Sequence, residues 1–304
     1  MSPSTVSSRT LGAGAGIMLD RLFGEPKASV HPVVHFGNLM KRFEDRWYAD
    51  KRACGVVHTL VGSAVGVGAG TLLRWTPVAT GLAVGAHALH DAAREVGDAL
   101  RGGDLDEARS LLPSLVGRDP SDLDASEIAR AAVESVAENT VDAIVAPALW
   151  AALAGAPGAL GYRSVNTMDA MVGHRSQRYA NYGWASARLD DALNWVPARC
   201  TAALVALVRP QSSREIRHAI TTQAPAHPSP NSGVAEAAFA AVLGIQIGGR
   251  SRYGERFEDR PLLGHGRRAQ PRDIDQSILL SRQVATALAT LLGIAGVTSW
   301  WLRP

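Results

Sequence analysis

The chain has 304 residues and a formal net charge of +3, enough length for a sizeable core and no strong excess of either charge. Its basic residues are scattered, with no Lys/Arg-rich run and no basic–aromatic alternation, which excludes nucleic acid as a partner. Only two cysteines occur, Cys54 and Cys200, and no CxxC or Cys/His cluster, which excludes a structural zinc site and a disulfide-stapled fold.

Mean hydropathy is near zero, but the apolar residues are strongly segregated. The first apolar segment, LGAGAGIML (Leu11–Leu19), runs straight into Asp20-Arg21 with no cleavage site, so a retained segment is expected. Residues 20–53 are polar and hold seven Lys/Arg, with Asp20, Arg21, Glu25, His31 and His35 close together. Pro32 stands between the two histidines and opposes one continuous helix, so turn or packing roles outweigh metal ligation. From Ala53 to Leu73 there is no Asp, Glu, Lys or Arg, and Gly62, Gly66 and Gly70 form a double GxxxG ladder. Three glycines on one face let helix backbones approach closely in lipid, whereas each costs about 1 kcal/mol in a soluble helix. Pro77–His90 is a shorter apolar segment. In DAAREVGDALRGGDLDEARSLL, apolar positions recur every three or four residues; the pattern predicts two helices broken at Gly102-Gly103, the second capped by Asp104.

ESVAENTVDAIVAPALW (134–150) sets Glu134, Glu138 and Asp142 four residues apart, on one helix face, each about 40° round from the last. Like charges at this spacing repel by a few tenths of a kcal/mol per pair. The ladder descends into apolar sequence, where unpaired charge is expensive. Arg130, four residues before Glu134, is placed to neutralise one acid. A solvated face is the plain alternative, but an oxygen-rich acidic cluster suits Mg²⁺, which takes one or two carboxylates plus substrate phosphates. Ala143–Tyr162 is uncharged and broken by Pro147 and Gly155-Ala156-Pro157-Gly158, as a kinked span or a re-entrant hairpin would be; the hairpin is favoured because the polar stretches on either side look like parts of one site.

Residues 162–199, YRSVNTMDAMVGHRSQRYANYGWASARLDDALNWVPAR, are polar in many directions rather than on one face. Asp169, Asn181, Asp190 and Asp191 lie among three arginines, Arg175, Arg178 and Arg188, suited to anions; a surface ion pair such as Arg188–Asp191 is the plain reading of any one of them. Val196–Val208 and Val234–Gly248 are weaker apolar candidates carrying Arg199 and Glu236. In HPSPNSGVAEAAFAAVLGIQIGG (227–249), Asn231 and Gly233 belong to a turn that caps a helix, and Glu236 sits in its first turns. Residues 249–283 hold eight Lys/Arg; like 20–53 they are assigned to the cytoplasmic side. The last segment, Val284–Leu302, is nineteen uncharged residues that close on Trp300 and Trp301 and are followed by Arg303, the strongest transmembrane signal in the chain.

The expected fold is all-α: a polytopic integral membrane protein of about five to seven apolar segments joined by helical polar loops, in one domain over residues 1–304. A soluble bundle with several buried helices is the competing fold.

These stretches resemble the CobD/CbiB family of adenosylcobinamide-phosphate synthases. The likeness is carried by DRLFGEPKASVHPVVHFG, GRD (117–119), ESVAENTVDAIVAPALW, the run from Asn166 to Arg199 and the 227–249 motif, covering roughly residues 17 to 265. It implies an enzyme of the cytoplasmic membrane that joins a propionate carboxyl of adenosylcobyric acid to (R)-1-amino-2-propanol, or its O-phosphate, as an amide. ATP and Mg²⁺ are implied, with an acyl phosphate as the activated carboxyl, and other corrinoid-assembly enzymes are candidate docking partners. The resemblance assigns no residue a role. For that chemistry, Glu134, Glu138, Asp142 and Asp169 are the expected Mg²⁺ ligands. Arg175, Arg178 and Arg188, with Asn181 and Asn231, are the expected phosphate or carboxylate contacts. Asp190, Asp191 or His227 is the expected proton acceptor. A membrane sensor of the AmpE type needs no such density of acids and arginines, and a transporter built on repeats would show duplicated broken helices, which are absent from the sequence.

Overall fold

The structure, a computed structural model, describes residues 3–27, 29–174, 176–253 and 256–301. The chain begins with helices α1 (Pro3–Phe23), α2 (Pro32–Trp47), α3 (Arg52–Leu73), α4 (Thr76–Ala83), α5 (Ala86–Arg101) and α6 (Leu105–Leu111). Helix α7 (Ala125–Thr140) passes through a π-helical turn, Val141–Val145, into α8 (Ala146–Ala154). Helices α9 (Ala156–Val172), α10 (Trp184–Val208), α11 (Ser213–Thr222) and α12 (Ser232–Leu243) follow. Three strands, β1 (Ile245–Tyr253), β2 (Arg256–Leu263) and β3 (Arg267–Arg268), precede α13 (Pro271–Trp301). The fold is helical apart from this small sheet, as expected.

Among the described residues, three helical stretches are long and apolar enough to cross a membrane: Arg52–Leu73, Ala125–Ala154 and Pro271–Trp301. On α3, Val57, Leu60 and Leu72 are exposed, and on α13 so are Ile294, Val297, Trp300 and Trp301, the surface that lipid rather than water would cover. The remaining apolar segments lie in helices that are shorter or less apolar along their length. Pro77–His90 divides between α4 and α5, and Ala143–Tyr162 divides between α8 and α9 at Gly155, whose φ is 71°. Val234–Gly248 is helical only to Leu243; Gly244 adopts the left-handed conformation, and the chain leaves as β1.

The chain forms two compact units, each assembled from separated stretches of sequence, so no linker is visible in the sequence. The first comprises Met1–Gly85, Asp142–Trp195 and Leu288–Pro304. Its centre is the contact of α3 with α9, which the glycine ladder makes possible. A Cβ on Gly62 would strike Met168, one on Gly66 would lie 2.6 Å from Ser164 Cβ, and one on Gly70 would strike the backbone at Ala156. Met40, Val165 and Met168 close this core, with Phe36 and Phe43 packed against them. Pro32 does not break a helix here: it is the first residue of α2, and His31 caps that helix by accepting the Val33 N–H at Nδ1 (3.1 Å).

The second unit comprises Ala86–Val141 and Val196–Ala287. Asp104 caps α6 as the sequence predicts, accepting the Glu107 N–H (2.9 Å). Asp124 and Glu127 form a reciprocal capping box that fixes the start of α7. Strands β1 and β2 pair antiparallel with a register shift between Ile247 and Gly249, and β3 pairs parallel with β1. Gly248 and Gly249 take φ of 87° and 83°, which only glycine adopts readily, and this bulge turns backbone groups toward α7.

Candidate functional site

In the second unit, a polar cluster forms around α7. Glu134 is buried; its Oε2 pairs with Arg118 Nη2, and its Oε1 accepts the Gly248 N–H (2.8 Å). Arg130, the neutraliser suggested by the sequence, is 3.9 Å away at Nε and spends its guanidinium on the Gly248 and Arg250 carbonyls. Arg118, of the GRD motif, performs that role instead, and its Nε and Nη1, although buried, have no hydrogen-bond partner among the described residues. Glu138 accepts the Ser232 hydroxyl at Oε1 (2.7 Å). Ser229 caps α12: its Oγ accepts the N–H of Ser232 (3.2 Å) and of Asn231 (3.3 Å). Asn231 turns its Oδ1 to Arg199 (3.1 Å) rather than capping.

Behind this turn lie His227 and Glu236. The His227 Nε2 is 3.7 Å from Glu236 Oε2, and Nδ1 is 3.1 Å from both the N–H and the carbonyl of Ser229. Glu236 is 0% exposed, and neither of its carboxylate oxygens has a hydrogen-bond partner among the described residues. Burial, with Glu134 and Glu138 nearby, pushes the Glu236 carboxyl well above the usual range. Burial likewise lowers the His227 pKa, favouring the neutral imidazole.

The first unit carries a second cluster. Asp190, on α10, is buried and accepts Asn194 Nδ2–H (2.9 Å) and Asn166 Nδ2–H (3.3 Å). Tyr162 donates its hydroxyl to Asn194 Oδ1 (2.8 Å), and Arg163 Nη1 donates to Asn166 Oδ1 (3.2 Å). Asp142 lies in the π-helical turn, and its carboxylate and that of Asp190 both act electrostatically on Tyr162. The turn also presents the Ala143 carbonyl to the Gly85 N–H (2.9 Å). π-Turns occur preferentially at functional sites.

The other expected site residues have separate engagements. Arg178 pairs with Glu44 (2.9 Å) and lies over the Tyr48 ring (4.1 Å). Asn181 donates to Asp50 (3.0 Å), and Arg188 meets Asp191 at 3.5 Å as an exposed pair one helical turn apart. Asp169 sits in the last turn of α9, its carboxylate against Gly173. Arg175 lies outside the described residues. Thus Asp142 and Asp190 are brought to one cluster, Glu134, Glu138 and His227 to another, and Arg178, Arg188 and Asn181 to neither. Among the described residues, no three His, Cys, Asp or Glu side chains converge as a ready-made metal site.

The family model described as CobD/Cbib protein matches residues 13–281. The chain is 45% identical to the cobalamin biosynthesis protein CobD of Mycobacterium tuberculosis (strain H37Rv), over 96% of this chain and 97% of the relative. Identity is 37% to CobD of Halalkalibacterium halodurans, over 96% and 98%, and 38% to a CobD of Rhodobacter capsulatus, over 92% and 95%. No solved structure matches. Family model and relatives alike span the glycine ladder, the π-turn and both polar clusters, and the chain belongs to the CobD/CbiB family.

Proposed function

We propose that this protein is a membrane enzyme of cobalamin biosynthesis that joins adenosylcobyric acid to (R)-1-amino-2-propanol, or its O-phosphate, by ATP-dependent amide formation. Support comes from the family and from the names of its relatives. The observation that carries an enzymatic reading is the buried Asp190–Asn166–Asn194–Tyr162 network beside Asp142. Burying the Asp190 carboxylate costs several kcal/mol unless compensated, and a purely structural bundle has no need of it. The basic stretches 20–53 and 249–283 favour a cytoplasmic-membrane protein with its site on the cytoplasmic side.

The donors fit Mg²⁺ in type, being oxygen only, and in number, since two carboxylates suffice where substrate phosphates complete the coordination. Asp142 and Asp190 are the pair that would hold it; Glu134 is less suited because its charge is already paired with the Arg118 guanidinium. When bound, the ion would screen the negative charge of carboxylate and phosphates as they approach. The corrinoid carboxylate takes a phosphoryl group from ATP to become an acyl phosphate. The amine then forms the C–N bond as phosphate leaves, and a base takes the nitrogen's proton. Within the second unit, His227 has the character of a base, because burial keeps it neutral and its Nε2 has no hydrogen-bond partner among the described residues.

The test is turnover of the detergent-solubilised protein with adenosylcobyric acid, aminopropanol or its phosphate, ATP and Mg²⁺, read by mass. A corrinoid amide formed only with ATP and Mg²⁺ is expected. Folded protein yielding no product with either amine would overturn the assignment.

A further inference from the structure

The connection between α1 and α2 carries two ionisable groups, Glu25 and His31, that fold back onto the polar cluster of the first unit. They meet it at Gly85, whose N–H binds the Ala143 carbonyl of the π-turn (2.9 Å). A Cβ placed on Gly85 would lie 2.9 Å from Glu25 Oε1, and 3.7 Å from both Arg163 Nη2 and the Ala143 methyl. The φ of Gly85 is not positive, so what its missing side chain provides is room for that carboxylate. Arg163 donates from Nη1 to Asn166 Oδ1 (3.2 Å), and Asn166 donates to Asp190 Oδ1 (3.3 Å). Glu25, the π-turn bearing Asp142, and Asp190 therefore border one polar site.

His31 orients the acid. Its Nδ1 accepts the Val33 N–H, so that nitrogen carries no proton and the neutral ring keeps its hydrogen on Nε2. Nε2 of the buried ring faces Glu25 Oε2 at 3.4 Å. Burial lowers the His31 pKa, opposed by Glu25 and assisted by Arg163, so the ring stays neutral and does not cancel the charge on the acid. Oε2 is thus turned to His31 and Oε1 to the space over Gly85. The Glu25 side chain is 23% exposed, so a proton it takes can pass on to water. We infer that Glu25 is the general base of amide formation and His31 its positioning residue, an assignment that rests on the function proposed above. The neighbouring acids are less suited: Asp190 accepts two amide N–H groups, and Asp191 is the exposed partner of Arg188. As the amine attacks the acyl-phosphate carbonyl, its nitrogen becomes cationic and acidic enough for a carboxylate to deprotonate. The C–N bond forms, the bond from the carbonyl carbon to the phosphate oxygen breaks with its electron pair leaving on phosphate, and Glu25 Oε1 takes the nitrogen's proton. An amine entering uncharged loses one proton in all; one entering as ammonium first gives a proton to water.

The experiment compares two nucleophiles on the full-length solubilised protein with adenosylcobyric acid, ATP and Mg²⁺. Hydroxylamine, uncharged at neutral pH, traps an acyl phosphate as a hydroxamate without needing a base; 1-amino-2-propanol or its O-phosphate, whichever turns over, needs one. Glu25→Gln, nearly isosteric, is expected to slow amide formation roughly 100- to 10,000-fold, the usual contribution of a general base, while hydroxamate formation and melting temperature stay unchanged. Glu25→Asp should restore part of the amide rate. His31→Asn keeps an oxygen to cap α2 but loses Nε2; a smaller fall in kcat is expected, with the KM for the amine and the hydroxamate rate unchanged. Amide formation by Glu25→Gln within about threefold of wild type overturns the inference while the synthase function stands. A parallel loss of hydroxamate also overturns it, because Glu25 would then act in carboxyl activation or in folding. Wild type forming neither amide nor hydroxamate removes the synthase function, and this base with it.

Discussion

The Arg118–Glu134 pair should be among the most expensive side-chain contacts in the protein to break. Its two side chains are 3% and 4% exposed, and Glu134 reaches no water in exchange if Arg118 is removed. Removing one partner of a buried pair typically costs about 3–5 kcal/mol, most of it from the charge left behind. Arg118→Met keeps length and apolar packing while deleting the guanidinium, so a loss in that range is expected, a fall in melting temperature on the order of 10 °C. Adding Glu134→Gln removes the stranded charge but preserves an oxygen for the Gly248 N–H. The double variant should therefore recover at least about 2 kcal/mol relative to Arg118→Met alone, a coupling of the size close contacts show. Unfolding of the four proteins in one detergent, followed by tryptophan fluorescence, completes the cycle. Should Arg118→Met cost under about 1 kcal/mol, or the double variant lose the sum of the single losses, Glu134 is not held as an ion and the reasoning fails.

Three further outcomes are expected. Burial pushes His90 down to about 4 from 6.5, so the unfolded chain gains its proton first on acidification. That contribution is intact above pH 6.5 and declines as the pH falls toward 4, by about 3 kcal/mol in all; His90→Gln should flatten a urea-midpoint profile over that window, and an unchanged profile would refute it. Gly66→Ile should cost roughly 1–3 kcal/mol by overpacking against Ser164, whereas Gly68→Ala, with nothing within 4 Å of its Cβ, should stay within about 1 kcal/mol of wild type; equal melting temperatures would remove the ladder from the α3–α9 contact. Asp190→Asn should reduce amide formation roughly 100-fold or more while the protein stays folded, and activity within about twofold of wild type would exclude a catalytic part for it.

Elements governed by local pattern were legible in the sequence. The glycine ladder, the Asp104 cap and the apolar run of α13 each follow from spacing or composition within a few turns. The Arg118–Glu134 pair was not, because sixteen residues separate its members and a three-residue GRD motif says nothing about what its arginine will meet. The sequence places Glu236 near a helix start, an ordinary position for an acid, and only the structure shows that it is buried there with no hydrogen bond among the described residues. Arg178 has the look of an anion contact in the sequence because its partner, Glu44, lies far away along the chain, whereas Arg188 meets Asp191, the surface pair its spacing suggests. Strands β1 and β2 escaped notice because Gly248, Gly249 and a run of charged residues obscure any alternation, and the hairpin is held instead by its bulge and by contacts to α7.

The ladder of Glu134, Glu138 and Asp142 is tolerable because its register is not carried through. The π-turn begins at Val141, one residue before Asp142, so the four-residue stacking that aligns Glu134 with Glu138 is interrupted before the third acid. Each acid then meets a different environment: an arginine and a backbone N–H for Glu134, a serine hydroxyl for Glu138, and the Tyr162 neighbourhood for Asp142. The apolar sequence that follows does not condemn these charges to lipid either. In the stretch Ala125–Ala154 the most apolar window is 61% buried within the protein, against 28% for α3 and 39% for α13. A helix with that burial faces protein on most sides, where charge can be matched residue by residue, and lipid on few. The same hydrophobicity therefore serves two purposes in this chain: in α3 and α13 it provides an outer surface for lipid, and in the acidic helix it packs against protein.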